Sequence, residues 1–231
     1  MITVYYAKAA ELVQKTGFER CLDRLELRRK EKVLRTRDKI GQVRSLATGE
    51  IFYQAVSRHL LSAGIRTADN TNENIDSKEQ VFETEIYPGG KPYLKDYPEI
   101  CFNISHSGDY VCCVVGDEPV GVDIQKIVPV KAGLAERFFT EDESRQLKEL
   151  SKEKREQLFF RMWSIKESYI KFTGQGMKQG IDTFEIDWEK GCIRDKANSE
   201  IKAYFDEYPY IEGYSLAVCR ENFKSEIVWS S

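Results

Sequence analysis

Apolar residues recur along this chain with two periods, and each change of period marks a new element. Ile2 to Ala7 alternates as a strand does, and Ala9 to Gln14 is a short helix. Arg20 to Arg44 is helical in spacing, with Leu25, Val33, Leu34, Ile40 and Val43 as its apolar anchors. A second helix places Leu46, Ile51, Phe52, Ala55, Val56 and Leu60 at helical spacing and ends near Gly64. Thr67 to Gln80, rich in Asn, Asp and Thr, is expected to be a loop. Tyr87-Pro88-Gly89-Gly90-Lys91-Pro92-Tyr93 is a turn cluster whose glycines allow backbone to lie close to a ligand. Asn103 to Gly108 leads into a strand, Tyr110 to Val115, which puts His106 on a loop between two serines. Val120 to Ile127 alternates again: Val120, Val122 and Ile124 face inward, and Gly121, Asp123 and Gln125 share the other face.

Beyond a linker at Val128 to Gly133, Thr140-Glu141-Asp142-Glu143 forms a capping box that opens a helix ending near Leu150. Ser151 is expected to cap the next and longest helix. Leu158, Met162, Ile165 and Tyr169 make one stripe of it, and Phe160, Trp163, Glu167 and Lys171 lie opposite. A solvated face rarely holds Phe and Trp beside its charges, so the helix is expected to be buried on both sides, with an acid and a base at a cleft edge. The ordinary alternative is a surface Glu–Lys pair contributing about 0.2–0.5 kcal/mol. Gly174 and Gly176 end the helix. Ile181 to Asp187, Gly191 to Arg194, Ile201 to Phe205 and Tyr214 to Cys219 then read as antiparallel strands. Each half of the chain runs helices beside strands, an α+β pattern, although internal self-similarity is weak.

At 231 residues the chain is long for one compact unit and short for two independent ones. It should bury roughly 70–75% of its unfolded surface, and its 32% charged content is that of a globular protein. A net charge of −3 argues against a surface that grips nucleic acid throughout. Locally the balance reverses: residues 20–44 hold ten Lys or Arg against four acids. Such a run is ordinarily a solvated face; an anion site is the alternative. Six cysteines include no C-x-x-C, and Cys112 and Cys113 point to opposite faces of a strand, so reduced thiols are expected rather than a zinc or disulfide framework. The N-terminus lacks a secretory layout, and no apolar run approaches the roughly 20 residues of a membrane span. A soluble, cytoplasmic protein is expected. Asp123 goes against strand propensity, and conflicts of that kind are where function is expected. A buried carboxylate there needs donors or a cation, and Mg²⁺ held by few carboxylates plus phosphate oxygens fits.

Gly90-Lys91-Pro92, Asn103-Ile104-Ser105-His106-Ser107, Gly121-Val122-Asp123-Ile124-Gln125 and Trp163-Ser164-Ile165-Lys166-Glu167-Ser168-Tyr169-Ile170-Lys171 together resemble the 4′-phosphopantetheinyl transferases, specifically the larger pseudo-dimeric class that serves nonribosomal peptide and polyketide synthetases. The resemblance runs from about Leu25 to about Cys219, and the last two motifs are the specific ones. It implies two similar α+β halves, 1–118 and 119–231, each with a small antiparallel sheet packed by helices and with the active site at their interface. It implies coenzyme A as co-substrate, a carrier-protein serine as nucleophile, adenosine 3′,5′-bisphosphate as leaving group, and Mg²⁺ (or Mn²⁺) on the diphosphate. Asp123 and Glu167 would hold the metal, with Gln125 as a third ligand, and Glu167 would also receive the serine proton. Lys171 would meet the phosphates, with Lys166 a weaker candidate. Arg29, Lys32, Arg44, Ser45, Lys91, Ser105 and His106 would bind the 3′-phosphate and adenine, and Arg28 or Lys30 could replace Arg29.

The segment Ile127 to Phe139 would dock an apo acyl or peptidyl carrier protein, whereas ordinary packing would make Phe138 and Phe139 core. Many members have Glu where this chain has Gln125, so water is expected to complete the metal shell. A monomer with neither a nucleic-acid nor a membrane partner is expected. The alternatives are a coenzyme A-binding module without transferase activity and a Mg²⁺-dependent nuclease or phosphodiesterase that uses the same acids.

Overall fold

The structure, a computed structural model, describes residues 1–65, 80–176 and 179–231. These divide into two compact units: Met1–Tyr87, Pro92–Asp117 and Glu226–Ser231 form the first, and Pro88–Lys91 with Glu118–Ser225 the second. The Thr67–Gln80 stretch lies, except for Gln80, outside the described residues.

In the first unit, alternation places β1 (Ile2–Lys8) beside β5 (Tyr110–Gly116), with β4 (Cys101–Ser107) and β11 (Ile227–Ser230) completing a sheet of order β11-β1-β5-β4. Three of these strands are antiparallel, but β11 lies parallel to β1, so this sheet is mixed rather than wholly antiparallel as expected. A separate hairpin joins β2 (Thr84–Ile86) to β3 (Pro92–Leu94). His106 therefore sits inside a strand, opposite Val111, and not on a loop. Asn, Ser and His are poor strand formers, but pairing with the Val- and Cys-rich β5 overrides their preference.

The basic stretch is three helices rather than one: α2 (Phe18–Asp23), α3 (Leu27–Arg35) and the first turns of α4 (Lys39–Ser62), following α1 (Ala9–Thr16). Asp38 accepts from the amides of Ile40 and Gly41 and so starts α4, merging the end of the basic stretch with the apolar helix after it. Because the helical phase restarts there, Leu34 and Ile40 do not anchor anything: both are exposed, and Leu25 and Val33 do the packing. Leu46, Phe52, Val56 and Leu60 of α4 bury against Phe102, Val111, Cys113 and Val115 of the sheet.

The second unit has a wholly antiparallel sheet, ordered β6 (Val120–Lys126), β10 (Tyr214–Arg220), β9 (Ile201–Glu207), β8 (Cys192–Asp195) and β7 (Phe184–Asp187). The helices are α5 (Leu134–Phe138), α6 (Glu141–Lys148) and α7 (Lys152–Thr173). The capping box forms at α6, with both reciprocal bonds between Thr140 and Glu143, whereas Ser151 precedes α7 without a side-chain cap. Helix α7 lies on β6 and β10 and buries Met162, Ile165 and Tyr169. It ends at Gly174 in the left-handed conformation, φ 69°. All six cysteines are free thiols, and no described helix is long and apolar enough to cross a membrane.

Candidate active site

The site is set by how closely β6 approaches α7. A Cβ added to Gly121 would overlap the Ser168 carbonyl and the Phe172 amide, so only glycine lets strand and helix touch backbone to backbone. The room this glycine leaves is filled by α7. Lys91 holds the same junction. Its ammonium donates to Val120 O and Phe172 O, both at 2.9 Å, capping a last-turn carbonyl of α7. Gly89 packs there too, since a Cβ on it would come within 2.6 Å of Gly174 O. The turn cluster thus serves the C-terminus of the long helix.

Two residues beyond Gly121, Asp123 is buried at 2% exposure. Its Oδ1 accepts from Lys171 Nζ at 2.6 Å and its Oδ2 from Gln125 Nε2 at 2.7 Å. Lys171 also donates to Val122 O at 3.2 Å. Glu167, one turn before Lys171 on the same face of α7, is half-buried. Burial pushes its carboxyl pKa up, the charge of Asp123 adds to the rise, and Lys171 partly offsets it. The two carboxylates therefore feel one another, and among the described residues that of Glu167 has no hydrogen bond or ion pair. Asp123, Gln125, Glu167 and Lys171 form one cluster.

A divalent cation suits this cluster. Two carboxylates at close quarters are mutually destabilising, and the ammonium of Lys171 already stands as a cation against Asp123. Gln125 has its amide nitrogen turned to Asp123, which leaves its carbonyl oxygen as the atom that could meet a cation. No group of three or more His, Cys, Asp and Glu side chains converges among the described residues. Two carboxylates and an amide match Mg²⁺, which keeps several waters and relies on substrate phosphates, better than an all-protein cage.

Lys166 is not available to phosphates. It is fully buried, paired with Glu143 Oε2 at 2.7 Å and donating to Ile181 O and Phe184 O at 3.0 and 2.7 Å. Burial lowers its pKa, and Glu143 acts against that. Glu143 is the residue that sequence reasoning missed, having been given only its capping role. The available signal was a lysine placed within the apolar stripe of Met162, Ile165 and Tyr169.

In the first unit, Arg29 and Lys32 lie on α3, Arg44 and Ser45 on α4, and Ser105 and His106 on β4. Arg29 pairs with Glu26 at 3.4 Å, and its charge reaches the buried Cys113 thiol, whose pKa burial raises most and Arg29 partly lowers. Lys32 is exposed and has no acidic partner among the described residues. Arg44 Nε is buried with no hydrogen-bond partner among the described residues. Ser105 is buried and His106 exposed. Elsewhere in the second unit, Phe139 is core, packed on Phe159 and Trp163, and Phe138 is half-buried against Trp163.

The family model described as the 4′-phosphopantetheinyl transferase superfamily matches residues 119–219. The chain is 33% identical over 173 residues to the 4′-phosphopantetheinyl transferase Sfp of Bacillus subtilis (strain 168), covering 73% of this chain and 76% of that protein. It is 32% identical over 187 residues to the 4′-phosphopantetheinyl transferase ffp of Bacillus subtilis, covering 78% and 83%. It is 38% identical over 141 residues to the 4′-phosphopantetheinyl transferase psf-1 of Bacillus pumilus, covering 60% of each.

Proposed function

The chain belongs to the 4′-phosphopantetheinyl transferase superfamily, and on that premise we propose that it moves the phosphopantetheine arm of coenzyme A onto a serine of an apo acyl or peptidyl carrier protein. Adenosine 3′,5′-bisphosphate leaves as the serine oxygen bonds to phosphorus. Such chemistry asks mainly for positioning and for neutralising charge on the departing phosphate. The observation that carries the reading is the electrostatic coupling of Asp123 on β6 to Glu167 on α7, with Lys171 hydrogen-bonded to Asp123 and lowering the pKa of Glu167. Asp123, Glu167 and the Gln125 carbonyl would hold Mg²⁺, for which Mn²⁺ could substitute, and a cation held there would supply positive charge for the diphosphate. Lys171, already donating to Asp123 Oδ1 and Val122 O, would lend its charge and at most one hydrogen bond to phosphate oxygens from the same helix face. Glu167, with its pKa already raised, takes the serine proton directly or through water.

Arg29, Lys32, Arg44, Ser45, Ser105 and His106 would bind the 3′-phosphate and adenine. Lys91 has given two of its three N–H donors to carbonyls, so its share there is at most one hydrogen bond. The carrier protein docks on the Ile127–Phe139 segment through the exposed Val128 and the outer side of α5, while Phe139 stays in the core. A cytoplasmic monomer is sufficient for this work. Intact-mass analysis of an apo carrier incubated with coenzyme A, Mg²⁺ and the protein tests the reading. A gain of one phosphopantetheine group is expected; no gain across several carriers would leave only a coenzyme A-binding module.

A further inference from the structure

We infer that Lys166 is a positioning residue for the transfer: through its buried ion pair with Glu143 it sets the rotation of α7 at which Glu167 and Lys171 face Asp123. This rests on the transferase reading and goes beyond it by assigning a role to a residue that touches no substrate. An ammonium has three donors, and here all three have partners inside the protein: Glu143 Oε2, Ile181 O and Phe184 O. The faces of the Phe184 and Phe139 rings lie 4.8 and 5.8 Å from Nζ, which closes the remaining approach. Glu143 is held as firmly. Its Oε2 also accepts from the Thr140 amide at 3.0 Å, and its Oε1 from the Ile186 amide at 3.3 Å.

The pair therefore joins α7 to the start of α6 and to the segment running into β7. Apolar packing alone does not settle the rotation of α7, because Ser164 and Ser168 are buried on it beside Phe159, Met162, Ile165, Tyr169 and Ile170, so burial extends over well more than half the circumference. A buried charge with one satisfactory address specifies a register where apolar contacts do not. Successive helical residues are turned about 100° apart, so fixing Lys166 fixes Glu167.

The test compares Lys166→Met, Glu143→Gln and the double variant with the wild-type protein, by thermal unfolding, steady-state transfer kinetics and hydrogen exchange along α7. Each single variant leaves one partner without its counterpart and is expected to melt earlier. The double variant removes both charges and is expected to regain most of the melting temperature. Its kcat should nevertheless stay at least tenfold down, with KM for coenzyme A within about twofold and faster exchange at the amides of 167–171. A double variant with wild-type kcat would reduce the pair to a structural one. A raised KM with kcat retained would make Lys166 a phosphate ligand, and either result overturns the inference. Should the wild-type protein transfer nothing, the transferase reading fails, and exchange at 167–171 alone decides: unchanged exchange in the double variant overturns the positioning role.

Discussion

Asp123 and Glu167 act as one electrostatic object, and their variants should behave accordingly. Either alanine replacement removes half the proposed ligand pair and is expected to cut turnover by at least about 10²-fold, the scale of losing one preorganised charge-stabilising group. Gln125→Glu adds a third carboxylate and should keep activity. Full Mg²⁺-dependent turnover in Asp123→Ala or Glu167→Ala would refute the metal assignment. The raised pKa of Glu167 carries a second consequence. Between its ordinary value near 4.5 and its higher folded value, the folded protein binds more protons than the unfolded chain. The stability of the metal-free protein therefore falls as pH rises through that window. Mg²⁺ favours the ionised form and should flatten or reverse the slope, and Glu167→Gln should abolish the Mg²⁺ effect. Urea titrations at a series of pH values, with and without Mg²⁺, measure both; identical slopes in all four cases would mean that Glu167 does not meet the ion.

One element pair does most of the positioning, and one glycine permits it. Gly121→Ala must push β6 from α7 or bend one of them, since the new Cβ would overlap backbone atoms rather than a side chain that can turn away. Overpacking of this kind costs about 1–3 kcal/mol, and here it also moves Asp123 away from Glu167. A lowered Tm together with a larger fall in turnover than the stability loss explains is expected; unchanged turnover would show that close approach is not required. The strands that carry this geometry were legible because β1, β5, β6 and β10 alternate or run apolar. Asp123 was legible because it contradicts its strand, and Glu167 with Lys171 because they share a helix face with Phe160 and Trp163; that they belong to one cluster was implied only by the family resemblance. What was not legible depends on partners remote in sequence. Strand β4 exists because β5 pairs with it, and Lys91 caps α7 from 81 residues away from its acceptor Phe172. Glu143 announced only its capping role, because a local motif does not name a second, distant partner.

Charge is distributed unevenly over the whole molecule. Residues 20–44 contain ten Lys or Arg and four acids, which leaves 25 Lys or Arg against 34 acids elsewhere. The structure narrows that excess further. Arg24 forms a buried pair with Glu50 at 2.6 Å, Lys30 pairs with Asp23 at 2.7 Å, and Arg29 and Arg35 have acids at 3.4 Å. Exposed surface pairs are worth little, about 0–1 kcal/mol, so the cations in them can be recruited by a phosphate at small cost; Arg24, buried, cannot. Lys32 has no such competitor among the described residues and is the cation on which the 3′-phosphate assignment can be tested most cleanly. Hydrogen bonds to charged groups are worth about 1.5–3 kcal/mol, so Lys32→Ala should raise KM for coenzyme A by roughly tenfold or more. With dephospho-coenzyme A, which lacks the 3′-phosphate, the same variant should differ little from wild type, because the group that Lys32 would hold is already gone. An equal loss with both substrates would place Lys32 outside the nucleotide site and return the basic stretch to an ordinary solvated face.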